Sequence, residues 1–126
     1  MSVELSLELE GDLPLLEPPK TVWWRAGVTD TRAVDLVQAR YGFVATSWVH
    51  FRIGPGDVDR QLDDVASVVA AVLAASEGDA LLHADFEEVW LLRRGGELVL
   101  SDAYGRWPSR RRHGLGDHTR APLDPH

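Results

Sequence analysis

The stretch IGPGDVDRQLDDVASVVAAVLAASEGD, residues 53–79, constrains the fold more than any other. Val58, Leu62, Val65, Val69, Val72 and Leu73 recur at steps of three and four, which places them along one side of a helix. Gly-Pro-Gly breaks the chain ahead of it. Asp57 is placed to cap the helix, Asp59 suits the positive end of its dipole, and Gly78 is the expected stop. A long helix with a single apolar stripe must lie on something, and most of the remaining chain is strand-like.

Ser2 to Glu10 alternates strictly, with Val3, Leu5, Leu7 and Leu9 on one face and Glu4, Ser6, Glu8 and Glu10 on the other, which predicts a half-buried strand with its polar face in water. Three prolines between Gly11 and Lys20 predict a loop, and TVWWRAG, residues 21–27, reads as a brief strand. A short helix is expected over Thr31–Arg40, with Asp30 or Thr31 as cap, Ala33, Val34, Val37 and Tyr41 at helical spacing, and Gly42 as stop. Phe43 to Ile53 is a strand in which Val49, Phe51 and Ile53 oppose Trp48, His50 and Arg52. Ala80 to Phe86 is another. Glu88–Arg94 and Glu97–Asp102 form a hairpin about Gly95-Gly96, a loop that sets Arg94 opposite Glu97, Leu92 opposite Val99 and Trp90 opposite Ser101. The expected fold class is therefore α+β: a single antiparallel sheet with one long and one short helix packed on one face.

Charge divides the chain. Residues 1–105 carry 8 basic and 18 acidic side chains, a balance of −10. Residues 106–126 carry 5 and 2, a balance of +3, against −7 for the whole. The expectation is one domain over 1–105 and a basic, flexible tail over 106–126 that folds back on the acidic body. An acidic body repels phosphate, so no nucleic-acid partner is expected, even with Arg110–Arg112 beside Trp107. No leader pattern opens the chain and its longest apolar run, Val68 to Ala75, is too short for a membrane, so a cytoplasmic protein with no membrane partner is expected. The absence of cysteine excludes disulfides and thiolate chemistry.

Each candidate for chemistry has a plainer reading. His113, Asp117 and His118 could ligate zinc but sit in a glycine-bearing stretch without periodicity, so no metal is expected, and no cofactor either. IGPGD lacks the lysine and hydroxyl of a phosphate loop. Asp63-Asp64 lies on the outer side of the long helix, where Arg60 can pair with Asp64. His83, Asp85 and Glu87 around a turn could line the pocket of a small enzyme or ligand-binding domain. The strongest constellation is a surface. If the apolar strand faces meet the helix, the outer face displays Glu4, Glu8, Trp48, His50 and Arg52, joined by Trp90 if Val89 and Leu91 point inward. Tryptophan, arginine and carboxylates on one face suit a protein partner, and a homodimeric accessory protein is the alternative use.

Three segments carry a family resemblance: YGF at 41–43, VHFRIGPGD at 49–57, and GDALLHADFEEVWLLRRGGELVLSD at 78–102. Their order resembles that of the Sit-type immunity proteins, which protect bacteria against toxins of swarming-inhibition and related polymorphic toxin systems. The resemblance implies a non-enzymatic, cytoplasmic protein that inactivates a cognate protein toxin by binding it. It assigns no residue a role.

Overall fold

Alternation over the first strand places leucines on one side of a sheet, and the rest of the molecule is assembled around that strand. The computed structural model describes residues 3–28 and 31–123, the side chains of 31–34 excepted. The elements run β1 (Val3–Leu9), β2 (Trp23–Val28), α1 (Thr31–Tyr41), β3 (Ser47–Ile53), α2 (Val58–Ala74), β4 (Ala80–Ala84), β5 (Glu88–Arg94), β6 (Glu97–Ser101), α3 (Ser109–Arg112) and β7 (Thr119–Ala121). They form one seven-stranded sheet in the order β2-β3-β1-β4-β5-β6-β7. Every neighbouring pair is antiparallel except β6 and β7, so the sheet is mixed rather than purely antiparallel.

The α2 stripe packs as its spacing requires. Val65, Val69 and Val72 are buried against Leu5, Leu7 and Leu9 of β1, Val49 and Phe51 of β3 and Leu82 of β4. Each such side chain contributes roughly 1.5–3 kcal/mol through burial. Asp57 caps the helix, its carboxylate accepting the Arg60 N–H at 3.1 Å. The helix stops at Ala74, before Gly78. Gly78 answers to a different need: a Cβ there would lie 1.9 Å from the Glu10 carbonyl oxygen.

The expectation of both helices on one face is corrected. Val37 of α1 packs with Phe43, Ala45, Leu81 and Val89 in a second buried cluster. Leu81 and Leu82 are consecutive on β4, so their side chains leave opposite faces, and α1 therefore covers the face that α2 does not. The proposed cap Asp30 and the side chains of Thr31, Ala33 and Val34 lie outside what the structure describes.

The Gly95-Gly96 turn forms as read, with both residues at positive φ (57° and 83°), Arg94 opposite Glu97 and Leu92 opposite Val99, but the ladder ends at Leu91 and Leu100, short of the expected pairing of Trp90 with Ser101. Between β4 and β5 the register shifts: Leu82 faces Leu91 but His83 faces Val89, so Trp90 is an extra residue in the ladder. This β-bulge breaks the strict alternation on which Trp90 was placed.

The segment from residue 106, expected as a basic tail folding back on the acidic body, packs against the domain with several buried side chains. Arg106, Trp107, Arg111 and Leu115 are buried. Ladder pairing of β5 with β6 stops at Leu91 and Leu100, and the C-terminal segment takes up carbonyls near the bulge. Trp107 Nε1 donates to the Trp90 carbonyl at 2.6 Å, and Arg106 Nη1 to the Val89 carbonyl at 3.2 Å. A buried carbonyl without a donor is costly, which gives these two side chains a structural task that charge counting does not reveal. Arg111 then closes onto α2. Its Nε donates to Asp63 Oδ1 at 2.6 Å, while Nη2 reaches the Asp59 carbonyl at 3.3 Å and carboxylate at 3.2 Å. Beyond α3 the chain returns as β7, parallel to β6.

Candidate functional site

The two layers divide the face opposite α2. Over β4 and β5 it is covered by α1 and the segment after it. Over β2, β3 and β1 it presents three cross-strand rows, fixed by the register. One row is Trp23, Arg52 and Glu4; the next Arg25, His50 and Ser6; the third Gly27, Trp48 and Glu8. Trp23, Arg25, Arg52 and Glu4 are exposed, with Trp23 47% accessible, and Trp48 and His50 are half-buried.

Side chains in these rows hold one another. Arg52 ion-pairs with Glu4 at 3.1 Å and its guanidinium lies 4.6 Å from the Trp23 ring centre. Arg25 lies 5.7 Å from the ring centres of both Trp23 and Trp48, and Trp48 meets His50 at 4.3 Å. Gly27 makes this layer flat: the Trp48 ring occupies the space of a side chain there, 2.8 Å from a hypothetical Cβ. Trp48 Nε1 then donates to the Val28 carbonyl at 2.9 Å. Cations over aromatic faces are stabilising and still leave the rings open to a partner. Burial holds the His50 imidazole below its ordinary 6.5, against the opposing pull of Glu8.

Of the six residues expected on one surface, the structure brings Glu4, Trp48, His50 and Arg52 together. Glu8 belongs to the same rows but is only 3% exposed. Trp90 is not on this face. Its bulge turns it to the α2 side, where it packs with the main core and meets Trp107 edge-on at 6.5 Å. Trp23 and Arg25 were overlooked as members. Their signal is the alternation Trp23, Arg25, Gly27 against inward Trp24, legible only once β2 is known to pair with β3.

Beside these rows lies a pocket of about 360 Å³ lined by Glu4, Ser6, Glu8, His50, His83, Asp85 and Phe86. The expected trio is brought there in part: His83 and Asp85 line it, and Glu87 does not. The His83 tautomer follows from its neighbours. The Phe86 N–H donates to Nδ1 at 3.0 Å, so Nε2 carries the proton and donates to Glu8 Oε1 at 3.3 Å. Ser6 Oγ donates to the same Glu8 oxygen at 2.9 Å. Ser6, Glu8 and His83 therefore contain the residue types of a hydrolytic triad in the wrong arrangement: the serine bonds the carboxylate, and neither imidazole nitrogen is left to take its proton. Glu8 Oε2 is buried and has no hydrogen-bond partner among the described residues.

The remaining carboxylates of interest are structural. For Asp63 burial alone would raise the carboxyl, but hydrogen bonds from Arg111 and Arg110 outweigh it and hold it below its ordinary value. Asp64, expected to pair with Arg60, instead accepts from the Thr21 N–H at 3.0 Å and from the Thr21 hydroxyl. Among the described residues no group of three or more histidines and carboxylates is placed to hold a metal, and no helix is long and apolar enough to cross a membrane.

Comparison with known proteins gives one match. No curated protein and no solved structure is similar enough to register. The sequence model of a family described as SitI3-like matches residues 19–111, roughly three quarters of the chain, and with it the elements from β2 to β6 in chain order, without β1, and all but the last residue of α3. The chain belongs to the SitI3-like family, as its resemblance to Sit-type immunity proteins led one to expect.

Proposed function

We propose that this protein neutralises a cognate bacterial toxin by stoichiometric binding, and that the face of β2, β3 and β1 is where the toxin docks. One observation carries the choice of face. Trp23, Trp48, Arg25 and Arg52 form an ordered aromatic and cationic layer on a rigid sheet, with Trp23, Arg25 and Arg52 exposed. Tryptophan and arginine held in place lose little side-chain freedom on binding and dominate binding energies where they are buried by a partner. Family membership supports the class of function, and a net charge of −7 favours approach of a basic partner at long range. The paired nitrogens of His83 speak against the pocket as a nucleophile and base.

The test is co-expression with the product of the neighbouring gene. Toxicity of that product alone, rescue by this chain and a complex of fixed stoichiometry are expected. Trp48→Ala and Arg52→Ala, each in a protein of unchanged thermal stability, should weaken the complex by roughly 10- to 100-fold, the range of interface hot spots. Rescue with undiminished affinity in both variants removes the proposed face. A neighbour that is harmless, or that neither binds nor is neutralised, removes the function.

A further inference from the structure

We infer that the pocket beneath Glu4 and Asp85 receives an arginine side chain from the partner protein, with the Glu8 carboxylate as its anchor. This rests on the toxin-binding reading and names the chemistry of the group that would enter beside the docking face.

Glu8 is 3% exposed and its Oε1 is already engaged by Ser6 and His83, but its Oε2 has no hydrogen-bond partner among the described residues. A buried carboxylate oxygen left in that state is strongly unfavourable unless something donates to it. The remaining wall is suited to a cation. Glu4 and Asp85 add two carboxylates at the exposed rim, so three acidic side chains converge on one opening. His83 is neutral in its assigned tautomer and offers no competing charge. The cations near the opening are already engaged: Arg52 is ion-paired with Glu4, Arg25 lies over the tryptophans, and Arg40 donates to the Phe86 carbonyl.

The pocket also has a flat side. Phe86 stacks on His83 with ring centres 3.8 Å apart and planes 21° apart, and both line the cavity. A planar guanidinium can lie along such a surface while presenting its N–H fork to a carboxylate, which the compact ammonium of lysine does less well. Phe86 and Asp85 are both held in the left-handed region, at φ 58° and 51°. That conformation is unfavourable for a bulky residue, and it is fixed by the Phe86 N–H bond to His83 and by Arg40, which donates to the Phe86 carbonyl at 3.3 Å. The aromatic wall is thus set before any partner arrives.

The experiment uses the full chain and a defined probe. Nα-acetylarginine methylamide is titrated against the ¹⁵N-labelled protein, with the citrulline analogue, equal in shape and uncharged, as control. Saturable shifts at Phe86, Asp85 and the His83 ring are expected with arginine and not with citrulline. Asp85→Asn, at an exposed position that tolerates positive φ, should weaken the arginine probe several-fold, and Glu8→Gln about tenfold, the order of one charge-assisted hydrogen bond. Should Glu8→Gln unfold the protein, Asp85→Asn and the citrulline control still decide. Absence of saturable shifts, equal response to citrulline, or unchanged affinity in Asp85→Asn overturns the inference. If the toxin still binds through Trp48 and Arg52 while the probe fails, this inference falls alone; if co-expression shows no toxin binding, the reading beneath it falls.

Discussion

Replacing Arg111 with alanine tests whether the C-terminal arginines are structural. The side chain is 5% exposed and ties α3 to α2 and to the loop before it: it donates to Asp63 at 2.6 Å, to the carboxylate and carbonyl of Asp59, and to the Arg106 carbonyl at 3.2 Å. A hydrogen bond to a charged group is worth about 1.5–3 kcal/mol, and one to a backbone carbonyl about 1 kcal/mol. These do not simply add. The Asp63 and Asp59 side chains are 39% and 79% exposed, so water replaces much of what they lose. The Arg106 carbonyl has less access to solvent. A net loss of about 2–3 kcal/mol follows, or a fall in Tm of roughly 6–15 °C for a domain of this size. Urea denaturation at neutral pH measures it. Arg111→Lys should recover only part, because the ammonium cannot span Asp63, Asp59 and Arg106 together.

The acid limb adds a second readout. The folded Asp63 carboxyl lies below its ordinary value, so the unfolded chain takes up its proton first. Its contribution is complete above the ordinary carboxylate range and is lost as pH falls through the lower, folded value. Arg111→Ala should flatten that part of the stability profile. A loss under about 0.5 kcal/mol, together with an unchanged acid limb, would refute the clamp.

Three further outcomes are expected. Gly78→Ala forces a Cβ to 1.9 Å from the Glu10 carbonyl oxygen and should cost about 1–3 kcal/mol in thermal melts, although alanine usually favours order. Asp57→Ala removes the carboxylate that accepts the Arg60 N–H and should cost about 1 kcal/mol, with Asp57→Asn largely restoring it in the same assay. Proton NMR should place His50 titration below the ordinary 6.5; because the folded value is the lower, its contribution to stability is present above that pH and declines as pH falls through the folded value.

What could be read from the sequence was what periodicity controls. The α2 stripe from Leu62 onward, the inward leucines of β1, the alternation of β3, the Gly95-Gly96 turn and the Asp57 cap each depend on neighbours within a few residues and formed as expected. Val3 and Val58, by contrast, are exposed, and Ser6 and Glu8, read as a polar face in water, are buried. Trp90 was misplaced because a bulge is a property of two strands together, and nothing in EVWLL marks the extra residue. Burial of Arg106 and Arg111 was hidden for a similar reason. Charge suggests solvent, and only the Val89 carbonyl beside the bulge and the carboxylates on α2, which accept from them, give those guanidinium groups a reason to be inside. Trp23 and Arg25 became site residues only when β2 took its place at the sheet edge, and the placement of α1 required knowing that Leu81 and Val89 share the face opposite α2.

The position of β1 has a consequence for how the chain must assemble. It lies between β3 and β4 and joins the two halves of the sheet, yet it falls outside the span shared with the family, residues 19–111. A fragment limited to that span would hold β2 with β3, and β4 with β5 and β6, but no ladder between the two groups. During synthesis the first strand emerges long before either neighbour, and Leu7 must wait for Val49 and then Leu82. Closing contacts so distant along the chain is entropically slow. Refolding should therefore be limited by insertion of the oldest strand into the centre of the sheet, and dilution from denaturant should show α2 helicity well before the core tryptophans are sheltered.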